Sequence, residues 1–195
     1  MTDKEFFDRL KRIGPEYERL ISRTLPVKIG AKGKAMFQDN FRKGGYQDGG
    51  LHAWKPAHRQ FLGRGADSKR GPLLSSRKVL YNSIGYTPSR GSVTIFSNVI
   101  YAGIHNEGGT VNSHPTVTPK MRRYAWARYY ESGGGKKGRE DSSEAEMWKG
   151  LALTKKTRLN IRANIPKRQF MGSSKELKAA VTSIVETEVS KVLNL

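Results

Sequence analysis

The chain of 195 residues contains no cysteine, which removes disulfides, thiolate metal sites and cysteine nucleophiles from consideration. That suits a reducing compartment. Acidic residues are scarce as well: 17 Asp and Glu stand against 36 Lys and Arg, for a formal charge of +19. Such an excess favours nucleic acid, acidic membrane or acidic protein surfaces without choosing among them. Long apolar runs are missing. Nothing approaches the ~20 apolar residues of a membrane span. The opening MTDKEFFDRL is mixed-charge and amphipathic, without the apolar core of a secretory signal. The sequence therefore predicts a protein made in the cytoplasm, with no membrane partner. Also absent are a nucleophile elbow, a phosphate-binding loop and a dinucleotide fingerprint; Gly30 to Lys34, GAKGK, has the residue types of a phosphate loop but not its spacing. No carboxylates pair at a meaningful spacing. A protein without catalysis, cofactor or metal is the expectation.

What is present suffices for one domain over residues 1–195, since single domains run to roughly 100–200 residues. Thr2 with Glu5 makes a capping-box pattern, and Phe6, Leu10, Ile13, Tyr17, Leu20 and Ile21 follow at helical spacing. Gly14-Pro15 and Pro26 should break this region into two or three helical pieces, the last held by Met36, Phe37 and Phe41. Residues 43–72 are Gly-rich and basic with Tyr46, Trp54 and Phe61 interspersed and no clear period. They read as a long loop arm, either irregular and anchored by Trp54 or docking on a neighbouring chain or nucleic acid. Ser89-Arg90-Gly91 is turn chemistry leading into the alternating strand from Val93 to Ser97. A short helix over 99–106 stops at Gly108-Gly109.

Residues 110–119, interrupted by Pro115, suggest an edge strand or two short ones. The polar run 131–146 reads as a flexible insertion tip. A short helix from Met147 and a returning strand through Ile161 and Ile165 come next. Ser173 with Glu176 then forms a second capping box, opening a C-terminal helix with Leu177, Ala180, Val181, Ile184, Val185, Val189 and Val192 on one face. The fold class is α+β: a small antiparallel or mixed sheet flanked by N- and C-terminal helices, with a loop arm and an inserted excursion.

Two chemistries compete with a structural role. His105, Asn106, Glu107 and His114 are residue types that bind a divalent ion and activate water, but their spacing does not define a ligand set. The alternative is that His105 packs beside Tyr101 with a ring nitrogen satisfied by backbone or water. Arg64, Lys69, Arg70, Arg77 and Lys78 could neutralise several phosphates, or meet an acidic protein, or stay solvated.

A family likeness is carried by an ordered set of blocks. They are Gly44-Gly45, Trp54-Lys55-Pro56, Gly71-Pro72-Leu73-Leu74, Leu80-Tyr81-Asn82-Ser83-Ile84, Val93-Thr94-Ile95 with Ser97-Asn98, Tyr101 to Gly109 (YAGIHNEGG) and Ile165 to Gly172 (IPKRQFMG). In this order the chain resembles the phage virion morphogenesis family, which includes the Mu-type tail completion proteins. The YAGIHNEGG and IPKRQFMG blocks are specific as a pair. Asn82 departs from the pattern, and the 110–160 insertion is long.

The resemblance implies a non-catalytic assembly protein of a tailed phage or prophage, acting in tail completion or head-tail joining. It implies family-motif residues Trp54, Ser83, Tyr101, His105, Gly108, Gly109, Pro166, Arg168, Phe170 and Gly172. Implied partners are copies of itself in a ring, a hexamer being one candidate, together with neck or connector and tail tube proteins; non-specific DNA contact is a further one. Its place would be the virion, at the tail or head-tail junction. The alternative class is a basic DNA-binding protein or metal-dependent nuclease.

Overall fold

In a computed structural model of the chain, the structure describes residues 3–61, 65–136, 138 and 140–193. It divides into two compact units, one formed by Met1–Gly109 with Pro166–Leu195 and the other by Thr110–Ile165. The α+β class holds. The described strands form three separate two-stranded ladders, however, and do not join into one sheet.

The first unit opens with α1 (Asp3–Arg19), a π-helical turn (Leu20–Thr24) and α2 (Leu25–Lys43). The expected break at Gly14-Pro15 does not occur, because Pro15 lies within α1. Its turn is exposed, so water can take the carbonyl that proline leaves without a donor. The irregularity comes instead just ahead of the second proline, where Leu25 N–H reaches back five residues to the Leu20 carbonyl. Pro26 then sits in the first turn of α2, where no amide donor is needed. Thr2, the expected cap, lies outside the described residues.

Gly44 ends α2 in the left-handed region with φ 68°. The following arm is more regular than its composition suggests. β1 (Gly45–Gln47) and β2 (Leu51–Ala53) form an antiparallel hairpin with Tyr46 opposite His52, and α3 (His58–Phe61) and a 3-10 turn (Ala66–Lys69) follow. Three-residue strands are too short to show a period of two. The anchor by Trp54 is present: its ring is 8% exposed and sits edge-on to Phe41 at 5.6 Å.

The short helix α4 (Val79–Asn82) leads into β3 (Ile84–Ser89), which pairs with β4 (Ser92–Ser97) from Ile84↔Ser97 to Ser89↔Ser92, closed by the predicted turn. α2 lies against this hairpin at two glycines. A β-carbon on Gly30 would stand 2.3 Å from Tyr86 Cδ2, and one on Gly33 2.3 Å from Ile95 Cδ1. The core beside this contact gathers Phe37, Phe41, Trp54, Leu80, Ile84, Ala102 and Phe170. Each large side chain buried there contributes about 1.5–3 kcal/mol. The exposed Arg90–Glu18 pair belongs to a class worth about 0–1 kcal/mol, so apolar burial dominates.

The C-terminal helix α8 (Lys175–Leu193) is present, but its cap is not the expected one. Ser174 Oγ, one residue later than Ser173, accepts from Leu177 N–H at 3.1 Å. Glu176 is thereby out of position to close a box, and its Oε1 accepts from Gly49 N–H at 2.8 Å. Lys175 N–H donates to Asp48 at 3.0 Å, so the hairpin turn and the helix start hold each other. The apolar face of α8 is half-buried, with no fully buried residue, and Lys28 ties Glu188 to α2 at 2.6 Å.

The second unit contains the ladder of β5 (Gly109–Ser113, all but its first residue) and β6 (Ile161–Ile165), α6 (Pro119–Glu131) and α7 (Ser143–Leu153). Thr118 caps α6 through Met121 N–H, and Ser142 caps α7 through Ala145 N–H. The helices meet over Ala125 and Ala145, both with no exposed surface. The 131–146 run is less free than a polar composition implies. Asp141 accepts from Tyr129 Oη at 3.0 Å, Gly135 N–H at 3.1 Å and Lys149 Nζ at 3.3 Å. The Gly135 bond above all holds its carboxyl below the ordinary range.

Gly30→Val should destabilise the protein by about 1–3 kcal/mol, because the added carbon meets a ring held in the hairpin. Gly14→Ala, with nothing within 4 Å of the new carbon, should instead stabilise by about 0.5–1 kcal/mol. Urea titration of both variants checks the pair; equal effects would refute the close helix-hairpin contact.

Candidate functional site

Two of the motif blocks, Trp54-Lys55-Pro56 and YAGIHNEGG, meet on one stretch of chain, Pro166 to Gly172, which has no regular secondary structure. Buried irregular backbone must find partners outside any ladder, and here those blocks and one side chain of α2 supply them. The first is Asn106, at the end of α5 (Ala102–Glu107): its Oδ1 accepts from Phe170 N–H at 2.9 Å and Met171 N–H at 3.0 Å. Asn40 on α2 donates to the Phe170 carbonyl at 3.0 Å. Trp54 Nε1 donates to the Gln169 carbonyl at 2.8 Å. Arg168 N–H reaches the His105 carbonyl at 2.8 Å. Between these bonds Phe170 enters the core, 1% exposed and 5.1 Å from the Phe41 ring.

Arg168 is 7% exposed, and its guanidinium donates to two backbone oxygens, Lys55 at 2.9 Å and Pro56 at 3.1 Å. Burial, and then the charge of Arg59, lowers its pKa, yet a guanidinium stays protonated. Arg168 therefore works as a fork that fixes the Trp54-Lys55-Pro56 block against the strap. Arg59 does the same for the Gly71-Pro72-Leu73-Leu74 block, donating to the carbonyls of Gly71, Pro72 and Leu74. Neither Arg59 nor Asn40 stood out as a site residue in the sequence, and Asn106 did so only as a metal-ligand candidate, not as an acceptor for backbone amides. An asparagine at the end of a short helix was the available signal for Asn106, since its amide satisfies backbone where no ladder runs.

Gly108 has φ 76° with extended ψ, so it is not the left-handed stop expected of a helix end. Its requirement is spatial as well: a β-carbon there would lie 2.7 Å from Lys167 N. Gly109, φ 135°, would meet Ile104, and Gly172, φ 153°, would meet Gln169 and the Tyr46 hydroxyl. Pro166 opens the strap, half-buried. Ser83 shares a hydrogen bond with Ser97 Oγ at 2.6 Å, fastening α4 to the end of β4. Tyr101 is 39% exposed and contacts the His105 ring edge-on at 5.8 Å.

His105 does pack beside Tyr101, and its Nδ1 is buried with no protein partner. Burial, with Arg168 second, pushes its pKa below the ordinary 6.5. His114, in the second unit, pairs with Asn160 Oδ1 at 2.9 Å, and Asn106 is committed to the strap. Among the described residues no three His, Asp or Glu side chains are grouped to hold a metal. Beside the strap a cleft of about 420 Å³ is lined by Tyr46, Asp48, His52, Trp54, Lys167 and Gln169. Tyr46 Oη lies buried next to Ser174 and Gln169 without an aligned bond to either, and burial raises its pKa.

Of the basic group, Lys69 ends the 3-10 turn, Arg70 follows it half-buried, and Arg77 and Lys78 are exposed ahead of α4. Lys78 holds φ 49°, the one positive value outside glycine among the described residues. Arg64 lies outside them.

This arrangement binds one stretch of the chain to another. Residues 3–190 match the model of the phage virion morphogenesis family. The chain belongs to that family. Comparison with curated proteins and with solved structures finds no match. Membership gives the protein a structural role in phage morphogenesis, associated with the virion. Among the described residues no helix is long and apolar enough to cross a membrane.

Asn106→Ala should cost about 1–3 kcal/mol, by stranding two amide donors, whereas Asn106→Asp keeps an acceptor and should cost less; chemical denaturation checks the order. The depressed His105 pKa fixes a sign too. Unfolded chains take up the proton first as pH falls below 6.5, so stability present above that value declines toward the lower folded pKa. His105→Gln should flatten this part of the melting temperature against pH curve. An unchanged slope between pH 6.5 and 5 would refute it.

Proposed function

We propose that this family member completes the tail or joins it to the head, acting as a ring of identical copies, a hexamer being one candidate. The observation that carries this is the family match across 3–190, with its two most specific blocks bonded directly to each other in one unit. Side chains spent on holding the strap favour a scaffold role over catalysis. Identical subunits close a ring through heterologous contacts. The half-buried face of α8 and the basic arm over 43–72 are further surfaces for the neck, connector or tail tube proteins. The positive charge suits non-specific contact with packaged DNA or an acidic virion protein.

Electron microscopy of particles made without this protein should show full heads and finished tails that remain unjoined, or tails of uncontrolled end structure. Normal virions would overturn the proposal. Duplex binding measured against salt separates the other class: retention should collapse as salt approaches physiological strength. Tight binding that persists there, or metal-dependent cleavage lost on His105→Ala, would favour a DNA-binding or DNA-cutting protein.

A further inference from the structure

Charge is missing from one stretch of this highly charged chain. Between Lys78 and His105 the only ionic side chain is Arg90, although 27% of all residues are charged. Arg90 is itself paired with Glu18 at the hairpin turn. This stretch supplies β3, β4 and the turn beyond them. One face of the hairpin carries Tyr86, Val93 and Ile95 toward α2. The register places Gly85 opposite Phe96, Thr87 opposite Thr94 and Ser89 opposite Ser92 on the other face.

Thr87, Ser89, Ser92, Thr94 and Phe96 are all exposed. The Phe96 ring covers the bare backbone of Gly85, its Cζ 3.1 Å from where a β-carbon would stand, and still shows 41% of its surface. Past the end of β4, Ile100 is 100% exposed and Tyr101 39%. A ribbon face bearing an exposed phenylalanine, followed in the chain by an unprotected isoleucine and a half-exposed tyrosine, has the make-up of an interface centre, where charge is depleted and aromatics are enriched.

Charge decides which partner fits. Two copies at +19 each repel unless their contact avoids cations, and a Lys or Arg buried there without a counter-ion would oppose binding. An acidic partner would be drawn to the Lys and Arg surfaces and would find nothing complementary on this face. We infer that the outer face of the β3–β4 hairpin, continued by Ile100 and Tyr101, is where one copy of this chain docks on a second copy. The inference rests on the ring-forming reading and adds the surface through which the ring closes.

Sedimentation velocity of the full chain over a wide concentration range, at low and high salt, tests it. The protein should self-associate, more strongly in high salt, where repulsion between cationic copies is screened. Phe96→Glu and Ile100→Glu should each weaken association about tenfold or more. Tyr124→Glu, at a 58% exposed position of α6, should leave it unchanged. Ile100 is fully exposed, so its variant tests the surface without a folding defect, and an unchanged melting temperature checks this for Phe96→Glu. Undiminished self-association in both variants would overturn the surface while the ring stands. A monomer at every concentration would overturn ring and surface together. Lost phage assembly with intact self-association would give the face to another virion protein and overturn the second copy as occupant.

Discussion

The first unit depends on partners for the backbone of the Pro166–Gly172 strap around Phe170. An irregular segment entering a core forfeits the hydrogen bonds that a helix or ladder supplies automatically, and each stranded group costs about 1–3 kcal/mol. Phe170 cannot be buried unless its own amide and carbonyl have partners. Asn106 takes the amide, together with that of Met171, and Asn40 gives to the carbonyl. These side chains come from α5 and α2, so burial of one phenylalanine fixes two helices relative to the strap. Trp54 adds the hairpin arm by the same logic, donating to the carbonyl of the preceding residue.

This explains why the two most specific blocks have meaning only together. YAGIHNEGG supplies an acceptor, Asn106 Oδ1, and a free carbonyl, that of His105; IPKRQFMG supplies the amides that use them. Gly108 lies against Lys167 with no room for a β-carbon. The chain leaves the first unit at Gly109 and re-enters it at Pro166, so exit and return are neighbours within that unit. A long excursion can be inserted between adjacent ends at little extra entropic cost, which lets the 110–165 unit sit between the two blocks without disturbing their contact.

The legible parts of the fold were those with a period or a turn signal long enough to read. The β3–β4 hairpin, α8 and the burial of Phe37 and Phe41 follow from alternation, helical spacing and turn chemistry. The capping residue of α8 was missed by one position, because Glu176 satisfies a box pattern in sequence while its carboxylate is taken by Gly49, 127 residues away in the chain. The break at Pro15 was misplaced because a proline in an exposed turn can be served by water. In the sequence Arg59 counts only toward the overall basic excess and Arg168 stands as a family-motif residue; in the structure backbone carbonyls take the donors of both. Sequence counts charge but does not show which charges are already occupied.

That distinction bears on how so basic a protein can work in an assembly. Part of the excess is internal, as with Arg168, and neutral carbonyls rather than carboxylates hold it, so it adds to net charge without forming a surface patch. Much of the rest lies outside the stretch between Lys78 and His105, whose hairpin offers a face of Ser, Thr and Phe. Segregating charge in this way meets two opposed demands on a subunit of the proposed ring. Repulsion between copies acts over about a Debye length, roughly 8 Å at physiological ionic strength, so cations kept away from a shared contact weaken it little. The same cations remain available for an acidic neighbour. A uniform spread of the same charge would bring like charges into every contact between copies, and association through any face would then carry their repulsion.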